Sequence, residues 1–139
     1  MQMKVYCFMK NDLKQDVAEW LHVVDMDRNT AYHLFKTMHP KPLEIICFHC
    51  QQAAEKAIKT LFIVYEIEII KIHDLGMLIK TIQPKIAFPE TVKLSAISLT
   101  KFAATFRYPD YPDIDEELTK KALADMDVVV DWCKGQIEA

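Results

Sequence analysis

At 139 residues the chain has room for one ordinary hydrophobic core, and its 51% apolar residues suffice to fill it. Only two glycines occur, Gly76 and Gly135, too few for the regular tight turns of a sandwich or barrel. A formal net charge of −3 argues against non-specific coating of nucleic acid, which draws on an excess of Lys and Arg, but leaves room for a local basic site.

The opening residues Met3-Lys4-Val5-Tyr6-Cys7-Phe8-Met9-Lys10 are β-branched and aromatic without helical spacing, and read as an extended arm over residues 1–11. A helix follows, with Asn11 or Asp12 as its cap. Leu13, Val17, Trp20, Leu21, Val24, Ala31, Leu34, Phe35 and Met38 recur at three- and four-residue steps on its apolar face, which turns polar at Asp27 and Arg28. His39-Pro40-Lys41-Pro42 ends it, since proline cannot continue the hydrogen-bond ladder. The spacing predicts a second helix from Leu43 to about Glu66, with an inner stripe of Leu43, Ile46, Cys47, Cys50, Ala53, Ala54, Ala57, Ile58 and Leu61. Ile45, Phe48 and Ile63 lie on its other side, so it is expected at the centre of the bundle or at an oligomer interface.

Asp74 caps a third, short helix that Pro84 stops. Pro89 opens a fourth, with Val92, Ala96, Leu99, Ala103 and Phe106 inward and Arg107 at its end. Tyr108-Pro109-Asp110-Tyr111-Pro112-Asp113 then forms a rigid loop, and Asp115-Glu116-Glu117 starts a last helix at the positive end of its dipole. The expected fold is all-α: an antiparallel up-and-down four-helix bundle with one additional short helix, occupying residues 12–139.

The most apolar run, near Leu61-Phe62-Ile63-Val64-Tyr65, is cut by Glu66 and Glu68 before it reaches a membrane span, and the start lacks a secretory pattern. The expectation is a cytoplasmic protein with no membrane contact. Cys7, Cys47, Cys50 and Cys133 are expected as reduced thiols, the last three on apolar helix faces, rather than a disulfide frame. Cys47-Phe48-His49-Cys50 has no second Cys or His pair at metal-ligand spacing, so no metal is expected, and no motif calls for a cofactor.

Cys47-Phe48-His49-Cys50-Gln51-Gln52-Ala53-Ala54-Glu55-Lys56-Ala57-Ile58-Lys59 resembles the signature helix of HEPN domains. His73-Asp74-Leu75 and Arg107-Tyr108-Pro109-Asp110 follow in the family's order, and Trp20 and Asp27 precede it in the first helix. The resemblance implies a helical bundle, commonly a homodimer, often made beside a small nucleotidyltransferase partner and associated with nucleotides or RNA. Similar domains bind substrate in some aminoglycoside nucleotidyltransferases. Many HEPN proteins are metal-independent ribonucleases, toxin-like in toxin–antitoxin pairs, that carry an Arg followed four to six residues later by a His. Here Arg107 is followed by Tyr108, Pro109, Asp110, Tyr111, Pro112 and Asp113, and no His occurs downstream. That leaves the site without the imidazole that would move a proton from a ribose 2′-hydroxyl, so the sequence leans away from an enzyme.

Candidate binding residues are His49, Gln52 and Lys56, which share one strip of the second helix, and Arg107 with Tyr108 and Asp110. A guanidinium grips phosphate and a phenol stacks on bases. The plainer reading is that Arg107 pairs with Asp110 or Asp113 to pin its loop, and that the strip is an ordinary polar face. Asp27 interrupts an apolar stripe, so it needs Lys56, Arg107 or a backbone N–H as partner, while His73 is expected to cap or lock its turn. Arg28 and His33 fit the Arg-then-His spacing by accident, in the wrong helix. The leading reading is a nucleotide- or RNA-associated binding module. A ribonuclease using Arg107, with His49 or His73 as base, and a purely structural oligomerising bundle are the alternatives.

Overall fold

In this computed structural model residues 9–103 and 113–138 are described. The arm residues Met1–Phe8 and the loop bearing Arg107, Tyr108, Asp110 and Tyr111 lie outside them. Five α-helices follow in order, with no strand among the described residues: α1 (Asn11–Thr37), α2 (Leu43–Val64), α3 (Leu75–Ile82), α4 (Glu90–Leu99) and α5 (Glu116–Glu138).

Side-chain pairs between the helices fix the topology. Asp25, Arg28 and Tyr32 of α1 meet Lys134, Asp131 and Asp127 of α5 in that order, so the two run antiparallel. Arg28 reaches Asp131 at 2.7 Å and Asp127 at 3.4 Å. Cys47 lies 3.6 Å from Thr119, and Lys41 is 3.6 Å from Glu116, which sets α2 parallel to α5. Lys121 donates to Ser98 at 2.9 Å while the Phe88 and Trp132 rings sit 4.5 Å apart, so α4 opposes α5. The order is up, down, up, down, with α3 packed beside α2 and α4.

α2 is the central element. Ile46, Cys47, Cys50, Ala53, Ala54, Ala57, Ile58, Leu61 and Phe62 are all fully buried, and its three alanines let neighbouring helices approach closely. Ile45 on the other side remains exposed.

The caps differ in detail from what the sequence suggests. Lys10 occupies the N-cap of α1 without a side-chain bond, and the Asp12 carboxylate accepts from Leu13 N–H at 3.0 Å. Asp12 therefore acts within the first turn, where a negative charge suits the helix dipole, rather than as the cap. Asp74 does cap α3, accepting from Met77 N–H at 3.1 Å, and Asp115 caps α5 through Leu118 N–H at 2.8 Å.

The α-helical part of α4 is shorter than the spacing predicts. After Leu99 the chain tightens into one 3₁₀ turn, Thr100–Phe102. Three residues per turn replace 3.6, so Phe102 rather than Ala103 follows Leu99 into the core. Thr100 is also tied to α3, since its hydroxyl accepts from Leu75 N–H at 3.1 Å.

At the end of α2 the chain reverses sharply. Glu66 takes a left-handed φ of 53°, while Glu66 N–H bonds to Ile63 O at 3.1 Å and Ile67 N–H to Phe62 O at 2.9 Å. This is the paired closure of a Schellman ending, with glutamate where glycine is usual. The non-helical stretch from Ile67 to Asp74 then returns alongside α2 to the start of α3.

Candidate functional site

Two carboxylate-centred clusters sit along the polar side of α2. In the first, Asp27 of α1 is 9% exposed and forks between two α2 residues. Its Oδ1 is 3.0 Å from His49 Nδ1 and its Oδ2 accepts from Lys56 Nζ at 2.7 Å. His49 and Lys56 are two turns apart on α2, so a single carboxylate entering from α1 can span them. Burial alone would raise the Asp27 pKa, but the bonds and charges of His49 and Lys56 outweigh it and hold the carboxyl below its ordinary 3.8.

A depressed folded-state value means the unfolded chain binds the proton more readily. The stabilisation is therefore complete above the unfolded pKa and disappears as pH falls through the folded one. Asp27→Asn should lower the urea midpoint near pH 7, and the gap from wild type should narrow as pH falls below the ordinary carboxylate range. A gap of constant size on acidification would show that the ionised carboxylate contributes nothing.

The second cluster centres on Glu55, 4% exposed. Its Oε1 accepts from Gln51 Nε2 at 3.0 Å and lies 2.9 Å from His73 Nδ1, while Oε2 accepts from Lys59 Nζ at 3.1 Å. Gln51, wholly buried, also donates to the His73 carbonyl at 3.3 Å and accepts from Gln52 Nε2 at 2.7 Å. An ionised carboxylate removed from water needs this degree of saturation. Only His73 reaches solvent freely, with its side chain 67% exposed.

A cleft of about 380 Å³ opens between the helices, walled by Glu19, Trp20 and Val23 of α1 and by Glu55, Lys56 and Lys59 of α2. One side carries an indole and Val23 with Glu19 at the rim, and the other carries two ammonium groups, each held by its own carboxylate. That combination suits a flat ring bearing an anionic group.

Of the residues singled out from sequence, His49, Asp27 and Lys56 come together as one cluster. Gln52 and His73 belong to the other. Arg107, Tyr108 and Asp110 are outside the described residues. The contact between His73 and Glu55 had no sequence signal, because it depends on the path of the chain after α2. Trp20 and Lys59 as cleft walls likewise have no sequence signal, since a wall shared by α1 and α2 depends on how the two helices pack. His33 is exposed and Arg28 is engaged with α5, so the accidental Arg–His spacing forms no site.

Cys47, Cys50 and Cys133 are buried free thiols. Burial pushes the Cys47 thiol up to about 11 despite its bond to Thr119, and raises Cys50 and Cys133 as well. Such thiols are poor nucleophiles at neutral pH. Among the described residues no three His, Cys, Asp or Glu side chains are grouped to hold a metal ion, and no helix is long and apolar enough to cross a membrane.

The family model of the HEPN domain matches residues 17–136. The crystal structure of an archaeal HEPN homologue is similar with a TM-score of 0.68 and 25% sequence identity, over 87% of this chain and 97% of that one. A comparison with curated proteins finds no significant match.

Proposed function

The chain belongs to the HEPN family, and on that footing we propose that it is a nucleotide- or RNA-associated binding module that works beside a small nucleotidyltransferase. The observation that carries this reading is the cleft beside the Asp27–His49–Lys56 cluster, where an indole faces two lysines. Buried carboxylates hold those side chains in place, so little conformational entropy is lost when a ligand arrives. Arg107, Tyr108 and Asp110 are assigned to the same function as phosphate- and base-contacting groups. The protein acts in the cytoplasm, as a homodimer, with residues 12–139 forming the binding domain.

Calorimetry with nucleotides and short RNAs tests the reading, alongside pull-down with a nucleotidyltransferase encoded next to it. Lys56→Ala and Arg107→Ala should each weaken binding by roughly 10-fold, the loss expected for one charge-assisted phosphate contact. Silence of the wild type towards every nucleotide and RNA removes the proposal.

One observation favours a second reading. His73 is largely exposed while its Nδ1 is held by buried Glu55, the arrangement of an oriented acid–base group. RNA cleavage lost in both His73→Gln and Arg107→Ala would make the chain a ribonuclease instead.

A further inference from the structure

Between α2 and α3 the chain runs through Ile67-Glu68-Ile69-Ile70-Lys71-Ile72 with neither helix, turn nor bend. Among the described residues, no backbone hydrogen bond is made by Glu68, Ile69, Ile70, Lys71 or Ile72. The run is bounded on both sides, since Ile67 N–H closes α2 and the His73 carbonyl accepts from Gln51. Its four isoleucines are half-buried against the core, whereas Glu68 and Lys71 are exposed. A groove of about 340 Å³ lies along Glu68, Ile69, Ile70 and Lys71.

Unpaired N–H and C=O groups on a run rich in β-branched residues form a template for another strand. The side chains say which strand fits. From either end the run reads isoleucine, a charge, two isoleucines, the opposite charge, isoleucine.

We propose that this segment pairs antiparallel with the same segment of a second copy of the chain, about a two-fold axis between Ile69 and Ile70. Across that pair Ile67 lies opposite Ile72, Glu68 opposite Lys71, and Ile69 opposite Ile70, each contact occurring twice. A two-fold contact needs a surface that complements itself, and this run has one. Directly opposed unlike charges and opposed β-branched side chains are the contacts that stabilise an antiparallel pair. A slip of one residue sets both charges opposite isoleucine. A parallel pair in register sets each charge against its own copy, which is destabilising. No ion pair among the described residues engages Glu68 or Lys71, so both are available to a second chain.

This rests on the reading of the chain as a homodimer and gives that dimer a surface. Two opposed runs of six residues bury less than the roughly 1,200 Å² of a stable interface. Strand pairing alone therefore gives a weak dimer, with a dissociation constant of micromolar order.

The experiment is sedimentation equilibrium of the full chain over roughly 1–500 µM, which brackets such a constant. Wild type should show a monomer–dimer equilibrium. Glu68→Lys and Lys71→Glu each replace two attractive cross-strand pairs by two repulsive ones, and each should weaken the dimer by roughly 10-fold. The double variant Glu68→Lys/Lys71→Glu reverses both charges together and should dimerise like wild type. An equimolar mixture of the two single variants should form mixed dimers in preference to either homodimer, because every opposed pair is then unlike in charge. Circular dichroism should be unchanged throughout, as both side chains are exposed. Hydrogen exchange of the amides of residues 68–72 should slow as chain concentration rises.

A wild type that stays monomeric over the whole range overturns both the pairing and the homodimer. A dimer equally strong in wild type and both single variants removes this surface and leaves the homodimer standing on another face. Weakening that neither the double variant nor the mixture restores shows that the charges do not oppose each other across a strand pair. Amides of residues 68–72 protected equally at every concentration would mean that the chain covers this edge itself, which also overturns the proposal.

Discussion

Glu55→Ala should lower the unfolding free energy by about 3–5 kcal/mol, the usual cost of removing one partner from a buried ion pair. The glutamate is 4% exposed and receives Gln51, Lys59 and His73. Without it, the Lys59 ammonium and one N–H of the wholly buried Gln51 amide lose their acceptor, in surroundings that water reaches poorly. Glu55→Gln keeps an oxygen for one donor and should cost less. Urea denaturation of the three proteins checks this. A loss below about 1 kcal/mol for the alanine variant would mean that the cluster is solvated, like an ordinary surface pair.

Phe62→Ala should cost a similar amount, about 3–5 kcal/mol, through lost transfer energy and the cavity left behind. Phe62 is fully buried near the end of the central helix, where its carbonyl also closes the reversal at Glu66. Leu94→Ala is the control. Leu94 is 59% exposed on α4, and its truncation should stay within about 0.5 kcal/mol. The same denaturation curves report both, and comparable losses would contradict the burial pattern that makes α2 the centre of the bundle.

Much of this architecture was legible because helices announce themselves locally. The repeat of Val17, Val24 and Ala31, the small residues of α2, and the prolines at positions 40, 42, 84 and 89 mark elements without reference to distant residues. Asp27 was also legible: a carboxylate interrupting an apolar stripe demands a partner, and Lys56 was among the few cations placed to supply one. The rest depends on relations that periodicity does not encode. The step from Leu99 to Phe102 requires a change of helix type, which side-chain spacing alone does not reveal. Arg28 looked like boundary polarity until α5 brought Asp127 and Asp131 beside it. His73 looked like a local turn residue until the chain's return carried it to Glu55. In each case the deciding energy is an interaction between segments far apart in sequence.

That return also bears on how chains of this kind can vary in length. The stretch after Glu66 is moored at both ends, by the closure against Phe62 and Ile63 at one and by Glu55 and Gln51 gripping His73 at the other. The second mooring lies about 13 Å back along the helix axis from the end of α2. Extra residues placed beside the exposed Glu68 can loop outward without shifting either anchor, and lengthening a loop is thermodynamically cheap, about 0.6 kcal/mol per doubling. Inserted beyond His73, the same residues would push Asp74 and the start of α3 out of register. Relatives can thus be expected to carry their insertions before the histidine and to preserve the count after it.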